Sequence, residues 1–138
     1  MTICVAVDNN MGMMFNNRRQ SQDCILRKYL LELVYDKKLW MNSYSAKQFE
    51  PSLSDKIIED DDFLDNADSQ AFCFVENIPL TKYQNKIEKI ILFKWNRVYP
   101  ADTYFDISLK TGWTLLSTTD FESAGGTQSK FMGFQSLH

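Results

Sequence analysis

The sequence predicts an α/β fold with a mixed central sheet flanked by helices. Short apolar runs bounded by turn residues recur at 2–7, 38–41, 71–75 and 87–95, the pattern of buried strands. An amphipathic stretch at 21–34 carries apolar residues near the 3.6-residue helical period. Shorter helical stretches lie between the later strands, and a glycine-containing turn separates the last two.

Taken in order, residues 2–7 are a strand buried on both faces. Asp8-Asn9-Asn10-Met11-Gly12 supplies residues that tolerate a turn, and a polar loop follows over 16–23. Ser21 is the expected cap of the helix at 21–34, with Asp23 in its first turn where the dipole favours a carboxylate. A strand at 38–41 precedes a short helix capped by Ser43 or Ser45, running through Phe49 and ended by Pro51. The acidic stretch 54–70 reads as one short helix plus a surface loop. Its run Glu59-Asp60-Asp61-Asp62 lacks the alternating ligands, turn glycine and closing Glu of an EF-hand. A strand at 71–75, a short helix opened by Pro79, a strand at 87–95 and a loop at 96–102 come next. Strands at 113–117 and 130–135 flank a turn at 123–128, and no linker or repeat divides the chain, so one domain is expected over residues 1–138.

Composition limits the function classes. A chain of 138 residues buries roughly two-thirds of its unfolded surface. With 44% hydrophobic and 14% aromatic residues it is too apolar for disorder. A net charge of −3 argues against general nucleic-acid binding, which needs a surplus of Lys and Arg. No apolar run approaches the ~18 residues of a membrane span. The segment before Asp8 lacks a basic n-region, so no signal peptide is expected. Cys4, Cys24 and Cys73 are odd in number and scattered, which points to reduced thiols and a cytoplasmic location. His138 is the sole histidine, against zinc hydrolases and His-assisted nucleophiles. Neither a CxxC pair nor a phosphate-binding G-x-x-x-x-G-K-[ST] loop is present, so no metal site is expected.

Three segments carry a likeness to a known family. Val5-Ala6-Val7-Asp8 with Met11-Gly12, then Gln22-Asp23, then Lys37-Lys38-Leu39-Trp40-Met41 follow one another as the first strand, loop, helix start and second strand of dihydrofolate reductase do. Phe72 through Lys94 and Tyr99-Pro100-Ala101-Asp102 with Phe105 and Trp113 extend the match. The chain thus resembles a dihydrofolate reductase trimmed in the middle, near 54–70. The resemblance places Asp23 at the family's substrate-binding acid. It also implies a nicotinamide cofactor, held where a Gly-Gly pair follows a strand. The matching residues here are Glu76-Asn77, and a carboxylate there would repel a pyrophosphate; the second phosphate loop is the uncharged Asn42-Ser43-Tyr44-Ser45. No dinucleotide cofactor is therefore expected. The chain is also similar to a group of uncharacterised short bacterial proteins sharing Phe15-Asn16-x-Arg18-Arg19-Gln20-Ser21, Tyr44-Ser45-Ala46-Lys47 and Trp95-Asn96-Arg97-x-Tyr99-Pro100-Ala101-Asp102. It departs from them at Gln128-Ser129-Lys130-Phe131-Met132.

These residues define a candidate site. Arg18 and Arg19 suit an anionic group at a helix start; the alternative is an ion pair with Asp23, Asp8 or the acidic loop. Asp23 suits a general acid or an acceptor for a ligand's ring nitrogen, and equally a helix-dipole carboxylate. Asn16 and Gln20 on the polar loop, with Tyr44, Asn96, Arg97 and Tyr99 after later strands, complete the expected ligand-binding set. The reading is a non-catalytic domain for a small anionic ligand or a protein partner, with dinucleotide binding lost. The alternatives are a reductase or nucleotide-related enzyme using Asp23 as acid, and a protein–protein module using 54–70.

Overall fold

A computed structural model describes residues 1–20, 23–124, 126 and 128–137. Its elements, in chain order, are β1 (Thr2–Val7), β2 (Gly12–Phe15), β3 (Arg18–Arg19), α1 (Cys24–Val34), β4 (Leu39–Met41), α2 (Ser43–Ala46), β5 (Ile57–Glu59), α3 (Phe63–Asn66), β6 (Phe72–Val75), β7 (Lys89–Lys94), β8 (Thr103–Tyr104), β9 (Trp113–Glu122) and β10 (Gln128–Ser136). Two 3-10 segments, Pro51–Lys56 and Thr81–Lys86, replace parts of the expected short helices.

Seven strands form one sheet in the order β5-β4-β6-β1-β7-β10-β9. The five strands from β5 to β7 are parallel, and β10 and β9 close the sheet antiparallel. The expected mixed sheet is thus observed. Strand alternation sends Ile3, Val5 and Val7 of β1 to one face and Cys4 to the other. On the Cys4 side α1 lays down Leu26, Leu30 and Val34, one residue per turn, against Leu39, Met41, Phe74 and Phe93. Tyr29 and Phe121 stack on opposite sides of Phe131, at 3.9 and 4.0 Å between ring centroids. The Val5 face is covered by Phe63 and Leu64 of α3, Trp113 at the start of β9, and Leu80, Phe105 and Ile107 from irregular segments.

Several expectations are corrected. The cap of α1 is Asp23, whose side chain accepts from the Ile25 and Leu26 amides, so the helix starts at Cys24; Ser21 lies outside the described residues. Asn42, rather than either serine, caps α2 through its bond from the Ser45 amide. The polar loop 16–23 is in part a hairpin. Asn16 and Asn17 take φ of 52° and 59°, the two left-handed residues of a tight type I′ turn, and join β2 to β3. The acidic stretch holds a strand, β5, which pairs Ile57 and Ile58 with Leu39 and Trp40. Strand β9 runs to Glu122, five residues past its expected end.

Gly12 anchors the turn after β1. A Cβ there would stand 2.7 Å from Ala101 Cβ and 2.8 Å from Gln20 Nε2, so only glycine lets the two segments meet.

Candidate functional site

The site grows from the carboxyl end of β1. Asp8 is fully buried, and its carboxylate collects four donors. Oδ1 accepts from the amides of Asn10 and Gly12, both at 2.8 Å; Oδ2 accepts from the Tyr99 amide at 3.0 Å and Gln20 Nε2 at 3.1 Å. Burial alone would push its pKa up. The donors from Tyr99, Gly12, Asn10 and Gln20 outweigh that and hold it below the ordinary carboxylate range. Asp8 therefore fixes Gln20 and Tyr99 in space, though it touches no solvent itself.

The β2–β3 hairpin then decides the fate of the two arginines. Consecutive strand residues face opposite sides of a ribbon. Arg19 points inward, where Nε and Nη2 donate to the two Glu76 oxygens at 2.9 and 3.1 Å. Gln48 Nε2 adds a third bond to Glu76 at 3.0 Å, and the Arg19 guanidinium lies 4.5 Å from the Tyr44 ring centroid. Arg18 points outward, exposed, opposite Phe15. No described residue forms an ion pair with it. The counterion of Arg19 is thus Glu76, not Asp23, Asp8 or the acidic loop.

Beside Arg18 lies an open cleft of about 550 Å³, lined by Phe15, Asn16, Arg18, Arg19, Gln20, Tyr99 and Pro100. Five of the expected ligand-binding residues meet there. Tyr44 sits behind the wall, its hydroxyl accepting from the Arg19 amide at 3.2 Å. Asn96 lines a different cleft with Asn9. Arg97 is exposed outside the first cleft, and its carbonyl accepts from the Asn9 amide. Phe15 and Pro100 line the first cleft from outside the expected ligand-binding set.

Asp23 has both oxygens engaged. Oδ1 accepts from the Ile25 and Leu26 amides in the first turn of α1 at 2.9 and 3.1 Å, and Oδ2 accepts from the Ala124 amide at 3.0 Å. These bonds alone account for a buried Asp at a helix start. Asp23→Ala is expected to cost about 1–2 kcal/mol, as lost caps do, and urea denaturation will measure it. Burial raises the Cys4 thiol pKa and pushes Cys73 up to about 12, which makes neither a nucleophile at neutral pH.

The positions that the resemblance assigns to phosphates are filled from within. Glu76 is held by Arg19 and Gln48. Asn77 Oδ1 accepts from Asn42 Nδ2 at 2.9 Å. The amide and hydroxyl of Ser43 both donate to Asp61 Oδ1, at 2.9 and 2.8 Å, so an internal carboxylate stands where an anion would. Bonds from Ser43 also lower the Asp61 pKa. Between Ala6, Met13, Gln20, Trp95 and the Arg19–Glu76 pair only about 10 Å³ is open, scarcely room for one water. These residues do not fit a dinucleotide. Among the described residues no group of acids, cysteines and histidines is arranged to hold a metal ion, and no helix is long and apolar enough to cross a membrane.

No protein-family model matches the chain, and no curated protein matches it by sequence. Among solved structures it is similar to dihydrofolate reductase from Enterococcus faecalis complexed with NADP(H) and RAB-propyl. The TM-score is 0.71 at 10% identity, over 99% of this chain and 96% of that one. The fold is that of dihydrofolate reductase.

Proposed function

We propose that this chain uses a dihydrofolate reductase-like fold as a binding domain, without catalysis and without a dinucleotide. Its ligand is a small anion with an apolar body. One observation carries the reading: the two arginines of one hairpin are split, Arg19 closing the old groove with Glu76 and Arg18 standing free at a cleft of about 550 Å³. Arg18 pairs the anionic group, Asn16 and Gln20 supply polar contacts, and Phe15, Tyr99 and Pro100 form the apolar walls. Asp8 positions Gln20 and Tyr99 and touches no ligand.

A thermal-shift series with small carboxylates, phosphate esters, folate and NADPH tests this. A ligand at 100 times its Kd adds about 2.7 kcal/mol to stability. Arg18→Ala is expected to abolish the response to the active anion. It should leave the unliganded stability within about 0.5 kcal/mol, as an exposed substitution does. Strong, saturable stabilisation by NADPH would overturn the loss of the dinucleotide. A large drop in the unliganded melt of Arg18→Ala would make that arginine structural.

A further inference from the structure

We infer that a second oxyanion site, for a phosphate group, lies at the carboxyl ends of β1 and β7, in the cleft that holds Asn96. This site is independent of the Arg18 cleft. It too has a volume of about 550 Å³, and its walls include Asn9, Lys94, Asn96, Gln128 and Lys130, with one carboxylate, Asp120. Crevices outside the carboxyl ends of parallel strands are where open α/β sheets bind ligands.

The register of the sheet supplies the charge. Lys94 on β7 lies directly opposite Lys130 on β10, so both side chains leave the same face of the sheet. Two like charges placed opposite each other on neighbouring strands repel, and folding gains nothing from them. Lys130 has one acidic neighbour, Asp120 on β9, at 3.8 Å, with both side chains more than half exposed. A pair of that kind is worth little. Lys94 is half-buried and forms no ion pair among the described residues. With Asp120 counted against Lys130, the cleft keeps one net positive charge, that of Lys94. The rim is amide-rich: Asn9 follows β1, Asn96 follows β7, and Gln128 opens β10. The Asn9 side chain donates to Asn96 Oδ1 at 3.4 Å, at the long limit of a hydrogen bond. Two ammonium groups and three amides suit the charge and the many acceptors of a phosphate better than a single carboxylate.

Inorganic pyrophosphate is the probe, titrated at matched ionic strength and followed by thermal shift and by amide chemical shifts. The parent protein carries Arg18→Ala, so that the first cleft is silent. A saturable rise of about 5 °C is expected, with shift changes centred on Asn9, Lys94 and Asn96. Adding Lys94→Gln or Lys130→Gln should abolish that rise. Lys94→Gln should also raise the unliganded melting temperature, because repulsion is relieved. No saturable rise in the Arg18→Ala protein, a rise that survives Lys94→Gln, or a lower unliganded melt for Lys94→Gln would each overturn the assignment. None of these outcomes bears on the Arg18 cleft.

Discussion

Asp8→Ala is expected to remove about 4 kcal/mol of stability, a large share of the roughly 5–15 kcal/mol margin of a domain. The change strands three backbone amides and one side-chain amide at once. A buried donor without a partner costs about 1–3 kcal/mol, and these four cannot all find water in a site closed by Gly12 and Ala101. Asp8→Asn is a sharper probe. It can keep one acceptor oxygen for Asn10 and Gly12 but sets an amide NH₂ against the donors of Gln20 and Tyr99. A loss of about 2 kcal/mol is expected, together with a weaker ligand response, since those two residues line the cleft. The pH dependence has a defined sign. The folded-state pKa of Asp8 is lowered, so its contribution is complete above the unfolded value of about 3.9. It is lost as pH falls from there through the folded value. Urea midpoints from pH 7 to pH 3 should fall more steeply for the natural protein than for Asp8→Asn. Parallel slopes would show that Asp8 does not anchor the turn.

The fold was legible where a segment carries its own signal. Strands β1, β4, β6 and β7 are apolar runs, and α1 shows its period in Leu26, Leu30 and Val34. Strands of two to four residues are a different case. β2 and β3 are a short hairpin of few residues, and β8 joins β2 only because distant segments meet: Gly12 and Met14 pair with Tyr104 and Thr103. Exposed edge strands are also hard to read. The second half of β9 is Thr118, Thr119, Asp120, Phe121 and Glu122, whose polarity reflects an open edge rather than a loop. The cap of α1 was misplaced by two residues because Ser21 and Asp23 are both good caps, and only the chain path chooses between them.

The site divides in the same way. That an informative loop follows β1 is visible in the residue types, and the cleft gathers Asn16, Arg18, Arg19, Gln20 and Tyr99. The separation of Arg18 from Arg19 depends on strand alternation in a hairpin whose strands were not evident. Glu76 was read alone, as a repulsive charge. Its partner Arg19 stands 57 positions away in sequence, and together they make a neutral plug rather than a negative one. The consequence for a phosphate is similar, but the physical cause is filled space and spent hydrogen bonds.

That difference yields the second large effect. Glu76→Ala is expected to cost about 3 kcal/mol, because it leaves the Arg19 guanidinium, with only 14% of its side chain exposed, without its carboxylate. It also strands Gln48 Nε2, which loses its acceptor. Replacing both members, Arg19→Met with Glu76→Met, should recover most of that loss, since a buried pair is often no better than apolar side chains of similar volume. A double-mutant cycle in urea separates the two terms. The single variant should also gain a property. With Glu76 gone, Arg19 stays over the Tyr44 ring, beside the enlarged space bounded by Ala6, Met13 and Trp95. Glu76→Ala should then be stabilised by inorganic phosphate more strongly than the natural protein is, and the double variant should not. If Glu76→Ala melts lower yet shows no greater response to phosphate than its parent, the ion pair is structural only, and the groove is closed by packing rather than by the loss of a free arginine.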